Sequence, residues 1–332
     1  LNNTNKANYA LRAAFFLVLL SLVVLQTQRP EIIVQQAEAN DIAPLKTDPN
    51  ESAVLEIESS GNEPNAVEPN DVNEPARITF HGKCADLLKN YVNDKGLVNY
   101  TKLRRKRLEL IRLADEFAKL DPKEYDSWPQ EDKIAFWINA YNIELLKIII
   151  DNYPINAPRH MIPWLGAHSI RHIKGIRNKH KFLVMDEEFT LLEIEKRFFR
   201  KEFHEPRVFL ATHRACLGGP GLRNKPYYGY KLNEQLDDQI KKFLSSKHGF
   251  KIDRKKNVVY LYALLKPEQN SYGLEFGPGY KTDKKFKDKA PGMRAVLNFI
   301  TGYVSRSDVK FMETGNYTVS YIKYDWDIND SK

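Results

Sequence analysis

The segment His213-Arg214-Ala215-Cys216-Leu217-Gly218-Gly219-Pro220-Gly221 places an imidazole, a guanidinium and a thiol within four residues. Its three glycines and one proline permit an unusual turn and a close approach of backbone. A cation beside a thiol favours the thiolate, and a histidine can accept its proton. The chemistry would be thiol-dependent hydrolysis or acyl transfer at amide bonds, with Cys216 as nucleophile and His213 as general base. Base and nucleophile usually come from separate elements, so a spacing of three is atypical. Two other readings of Cys216 stay open. It can be an inert thiol, or it can pair with Cys84 across a loop of 132 residues, worth about 4–5 kcal/mol in a chain-entropy account.

Asn139 and Asn142 form the second group. With Ala135 and Leu146 they make one row along an otherwise apolar helix. A buried amide without partners costs about 1–3 kcal/mol, so each must bind something. The partner is either neighbouring backbone, or a substrate or catalytic group that the amide orients.

Other signatures fail on spacing. No serine stands in G-x-S-x-G, and GLEFGPGYKT only mimics a phosphate loop, since Tyr280 separates Gly279 from Lys281. His168 and His172, with His180 near them, lack an acidic partner at a metal-ligand step and read as loop residues. Two cysteines exclude a four-thiolate metal centre. No metal and no cofactor is expected.

Helices must position these groups. Helical signals cover 80–91 and 101–120. A long buried helix follows, in which Ile134, Trp137, Ile138, Tyr141, Leu145, Ile148 and Ile149 recur at three- and four-residue steps until Pro154 stops it. Thr190 and Glu193 read as a capping box opening a helix to about Arg200, and another helix covers 233–247. KFLVMDEEFT and FKIDRKKNVVYLYAL suggest hairpins, RVFLAT a short buried strand, and NYTVSYIKYDW an alternating strand. The expected class is α+β: a mostly helical single domain with short antiparallel hairpins.

The 332 residues, 42% hydrophobic, can bury a full core, and their net charge of +8 is unevenly spread. Residues 1–29 carry three bases and no acids, and 13–25 are apolar except Ser21. This reads as a signal anchor or a signal peptide, which places the rest outside the cytoplasm. Residues 30–76 carry eleven acids and one base, with repeated Glu-Pro-Asn units and no aromatics, the composition of a disordered tether. Residues 77–332 form the globular part, with 47 bases and 32 acids. Such a charge suits an anionic envelope polymer, lipid headgroups or an acidic protein. The membrane is a partner through the N-terminal segment, and nucleic acid is not expected for an exported chain.

The folded part resembles the bacterial and plant family called domain of unknown function 547. The resemblance rests on AFWINAYN at 135–142, Tyr153-Pro154, Ser169 to Ile173, and Leu191, Ile194, Glu195 and Arg200. It continues through Pro206-Arg207, the Pro-x-Leu-Arg-Asn turn at 220–224, and Tyr324-Asp325-Trp326 with Asn329. It implies that Glu195, Arg200, Arg207, Arg214 and Asp325 build a pocket with the two asparagines. Many relatives carry cysteines where this chain has Arg214 and Gly219, and histidines where it has Lys196 and Phe209. The resemblance therefore implies two alternatives: an extracytoplasmic thiol-dependent enzyme using Cys216 and His213, or a degenerate, non-catalytic envelope protein that binds an anionic component.

Overall fold

A computed structural model describes residues 80–155, 168–267 and 285–331, all within one compact unit, Glu68–Lys332. Helices dominate its first half: α1 Ala85–Tyr91, α2 Tyr100–Arg105, α3 Arg107–Lys119, α4 Pro122–Asp126 and α5 Gln130–Asp151. The helix expected over 101–120 is thus two helices. They break at Lys106, whose φ and ψ of −111° and 25° leave the helical region. Side-chain oxygens of Asn99 and Asp121 accept from backbone N–H groups at the starts of α2 and α4.

The apolar run expected to form a long helix forms α5. Of its 22 residues 17 are buried, so it is a central helix enclosed on nearly every side rather than a surface helix with one apolar stripe. Phe136, Trp137, Ile138, Tyr141 and Ile143 are almost wholly excluded from water. The Trp137 ring stacks on Phe198 at 3.6 Å, and its indole N–H donates to the Tyr125 hydroxyl.

Strands β1 Phe182–Val184 and β2 Glu187–Phe189 form the expected hairpin. Its turn residues Met185 and Asp186 both have positive φ, a conformation that usually selects glycine or asparagine. Their backbone N–H groups donate to the carbonyls of Phe117 and Ala118, so the end of α3 holds the turn. Thr190 and Glu193 make the expected capping box at α6, Leu191–Ile194, which continues as a wider π-wound helix through Glu195–Glu202.

Two expectations are corrected. RVFLAT contains one helical turn, α7 Val208–Ala211, in place of a strand, because Leu210 and Thr212 close local bonds to Arg207 and Val208. A short apolar run carries no period long enough to separate the two states. The antiparallel scheme also fails at the last strand. After α8 Leu232–Leu244, strands β3 Phe250–Asp253 and β4 Val258–Leu261 are antiparallel. β5 Thr318–Tyr321 then joins β4 in parallel, after α9 Pro291–Thr301 and α10 Arg306–Glu313. A parallel neighbour requires such a crossover.

The architecture is α+β with two apolar clusters. The larger surrounds α5; the smaller joins α8, the three-stranded sheet and α9, and Tyr324 packs against both. Among the described residues no helix is long and apolar enough to cross a membrane. The apolar run at 13–25, the acidic stretch at 30–76 and the glycines at 273–279 lie outside the described residues.

Candidate functional site

The segment after α7 is held from below by α5. Asn142 Oδ1 accepts from the His213 backbone N–H at 3.0 Å, and its Nδ2 donates to the Ala211 carbonyl at 3.4 Å. Asn139 grips Tyr227 on both sides, accepting from its N–H at 2.9 Å and donating to its carbonyl at 2.8 Å. Both amides thus tie down backbone, which satisfies them without a ligand.

His213 is completely buried and faces the same helix. Its Nδ1 accepts from the Ala215 N–H at 3.3 Å, which leaves Nε2–H to donate to the Asn142 carbonyl at 3.2 Å. Burial pushes its pKa down to about 4. Both ring nitrogens are therefore engaged away from the thiol.

Ala215 has a positive φ, which turns the chain so that Cys216 leaves this inward path. The Cys216 thiol is 2% exposed and shares a hydrogen bond with the Tyr324 hydroxyl at 3.1 Å. Burial pushes its pKa up to about 11, against the opposing pull of Tyr324 and Arg214. At neutral pH it carries its proton. Cys84 is free and buried as well. The Tyr-Asp-Trp-x-x-Asn motif covers the loop: Leu217 N–H donates to the Asp327 carbonyl, and Gly218 N–H to that of Asp325. A Cβ at Gly218 would meet Asp325 backbone at 2.5 Å, so only glycine permits that approach.

Arg214 turns the other way, into a buried network. Its Nη1 donates to Glu195 Oε1 and to the Tyr141 hydroxyl, each at 3.1 Å, while that hydroxyl donates to the same carboxylate oxygen at 2.8 Å. Arg177 pairs with the other oxygen, Oε2. Two guanidiniums thus neutralise Glu195 at the first turn of the π-wound helix, a distortion common at functional sites. A Cβ at Gly219 would lie 2.7 Å from Arg214 Cβ and 2.9 Å from Cγ. The arginine and the glycine are therefore coupled: the side chain at 214 fills the room that a cysteine at 219 would need.

The other expected pocket residues scatter. Arg207 binds Glu205, Asp237 and Asn233, a cluster at the start of α8. Arg200 is half-buried on the π-wound helix. Asp325 accepts from the Asp327 N–H and reaches the thiol region through its charge. Thus Glu195 and Arg214 meet, while Cys216, His213 and Arg207 point to three different places.

Cys216 lines a cleft of about 580 Å³ together with Lys95, Leu217, Lys242, Phe243, Lys247 and His248. None of its lining residues is acidic. The His248 Nε2 has no hydrogen-bond partner among the described residues. Burial, and then Lys247, lower the His248 pKa, while Asp325 opposes them. Among the described residues no group of three His, Cys, Asp or Glu side chains could hold a metal.

Sequence reasoning missed Tyr141 and Arg177 as partners of Glu195, and the lysines and His248 of the cleft. Tyr141 had a signal, a hydroxyl on a buried helix face that needs a partner; Lys95 and Lys242 stand too far apart in the chain to suggest a common site.

These features define an α+β domain with a largely buried polar network on one side of a glycine-rich loop and an open basic cleft on the other. Residues 125–244, from Tyr125 in α4 to Leu244 at the end of α8, match the family described as "Protein of unknown function, DUF547", which supports that family for this chain. No curated protein and no solved structure matches the chain. The Tyr324–Asn329 motif lies beyond the matched residues, yet it seats directly on them.

Proposed function

We propose that the folded part is a non-catalytic recognition domain for an anionic envelope component, carried outside the cytoplasm by a membrane-associated N-terminal segment. The observation that carries this reading is the state of the groups that catalysis would use. The Cys216 thiol is bonded to Tyr324 and burial raises its pKa to about 11, His213 spends Nε2 on the Asn142 carbonyl of α5 and Nδ1 on the Ala215 N–H, and Glu195 is neutralised by two arginines. The basic excess of residues 77–332 supports the binding side, and the apolar run at 13–25 supports the location.

The test is binding of the full chain to vesicles containing anionic lipid, and to anionic glycans, over a range of salt. Binding is expected to weaken steeply as the screening length falls from about 30 Å at 0.01 M to about 10 Å at 0.1 M. Salt-insensitive behaviour would sink the reading. An amide-directed thiol probe is expected to leave Cys216 unlabelled. Stoichiometric labelling that disappears in Cys216→Ser would install the thiol-enzyme reading instead, with Cys216 reached from the cleft it lines.

A further inference from the structure

Among the described residues most lysines and arginines are exposed. The cleft beside Cys216 differs in being concave and charged in one sense. Lys95, Lys242 and Lys247 contribute to its lining, and no carboxylate does. The Lys242 ammonium is held in place by the Asp94 carbonyl at 2.5 Å, so it does not trail freely into water. His248 also lines it, with a buried Nε2 that has no hydrogen-bond partner among the described residues.

The remaining lining combines the polar Gln239, Ser246 and Asn329 with an apolar wall to which Leu97 and Leu222 also contribute. Leu217 and Phe243 line it, the first half-buried and the second almost wholly buried in the smaller core. A volume of about 580 Å³ falls within the range of small-molecule sites, about 300–1,000 Å³. A flat polymer face would not need such a hollow, and a bare inorganic anion would leave the apolar wall facing water. Positive rim, apolar wall and size together describe one class of ligand.

We infer that the cleft binds a small amphiphilic anion, with a phosphoryl head on Lys95, Lys242 and Lys247 and an apolar body along Leu217 and Phe243. This deepens the recognition reading and rests on it, giving that reading a place on the molecule and a chemical class of ligand. The association is non-covalent.

The experiment is calorimetric titration of the full chain with octyl phosphate below its micelle threshold, inorganic phosphate and octyl glucoside. Octyl phosphate is expected to bind about tenfold or more tighter than either of the others. Lys242→Ala/Lys247→Ala should weaken it by about tenfold, whereas Lys251→Ala/Lys255→Ala, equal in charge but on the exposed β3 hairpin, should not. Leu217→Gln should weaken octyl phosphate and leave inorganic phosphate unchanged. Thermal midpoints within a few degrees of wild type establish that each variant is folded.

Octyl phosphate no better than inorganic phosphate would leave a simple anion site and overturn the amphiphile. Octyl glucoside equal to octyl phosphate would remove the charge recognition. Equal losses from the two lysine pairs would mean diffuse attraction, which ends this inference while the broader reading stands. If anionic vesicles, anionic glycans and octyl phosphate all fail to bind, both fall.

Discussion

Residues 214 and 216 stand two apart, yet they enter regions built on opposite terms. Arg214 joins Glu195, Tyr141 and Arg177 in a network where two guanidiniums share one buried carboxylate, with Arg177 at its partly exposed edge. Cys216 enters a cleft whose cations face no carboxylate in its lining. The first region has spent its charge on holding α5, the π-wound helix and the glycine loop together. The second leaves its lysines without a carboxylate in the same lining. Here Glu195, Arg214, Asn139 and Asn142 hold the fold together, and the proposed recognition falls to lysines outside the family motifs.

The sharpest way to break this contrast is to remove the carboxylate at the centre of the closed region. Glu195→Ala leaves two guanidiniums without their anion, one of them buried, and should cost about 3–5 kcal/mol, read as a lower urea midpoint.

The next effect follows from pH. Burial lowers His81 and His213 from the usual 6.5 to about 4. The unfolded chain takes up their protons first, so stability present above pH 6.5 is lost as pH falls towards 4, by about 3 kcal/mol for each histidine. Glu144 acts in the opposite sense. Burial raises it from 4.5 to about 7, so its contribution is present below pH 4.5 and lost as pH rises through 7. Wild type should therefore show a muted rise in urea midpoint from pH 4 to 7, and Glu144→Gln a steeper one. Identical slopes in the two proteins would refute the assignment to Glu144.

A smaller effect is expected from Gly219→Ala. The added methyl meets the base of Arg214 and should cost about 1–3 kcal/mol. A midpoint equal to wild type would show that Arg214 yields easily and that the coupling between 214 and 219 is weak. At the bottom of the scale stands Lys242→Ala. It should change stability by less than about 0.5 kcal/mol while altering anion binding, the mirror image of Glu195→Ala.

The sequence was most legible where one signal sufficed. The long apolar period became α5, and the capping box at Thr190 appears with both of its hydrogen bonds. It was least legible where the outcome depended on distant partners. Four apolar residues after Arg207 chose a helical turn, and the parallel place of β5 beside β4 depends on the intervening helices. At the site, residue types were readable but their directions were not. His213 and Cys216 looked like a dyad in one dimension, and the left-handed turn at Ala215 separates their courses. The cleft joins Lys95 to Lys242 and Lys247, an association that no local pattern announces.

The stretch from Asp325 to Asp330 has a consequence for how the domain is made. It bridges Val98, Ser169 and Cys216, and Asn329 alone ties Tyr100 to Gly96 from 229 and 233 positions away. Contacts of such separation form late and slowly. The earlier helices can collapse on one another before that stretch is in place, and it closes over them last. The basic hollow, which Cys216 and Asn329 help to line, thus acquires its finished shape only when that stretch docks.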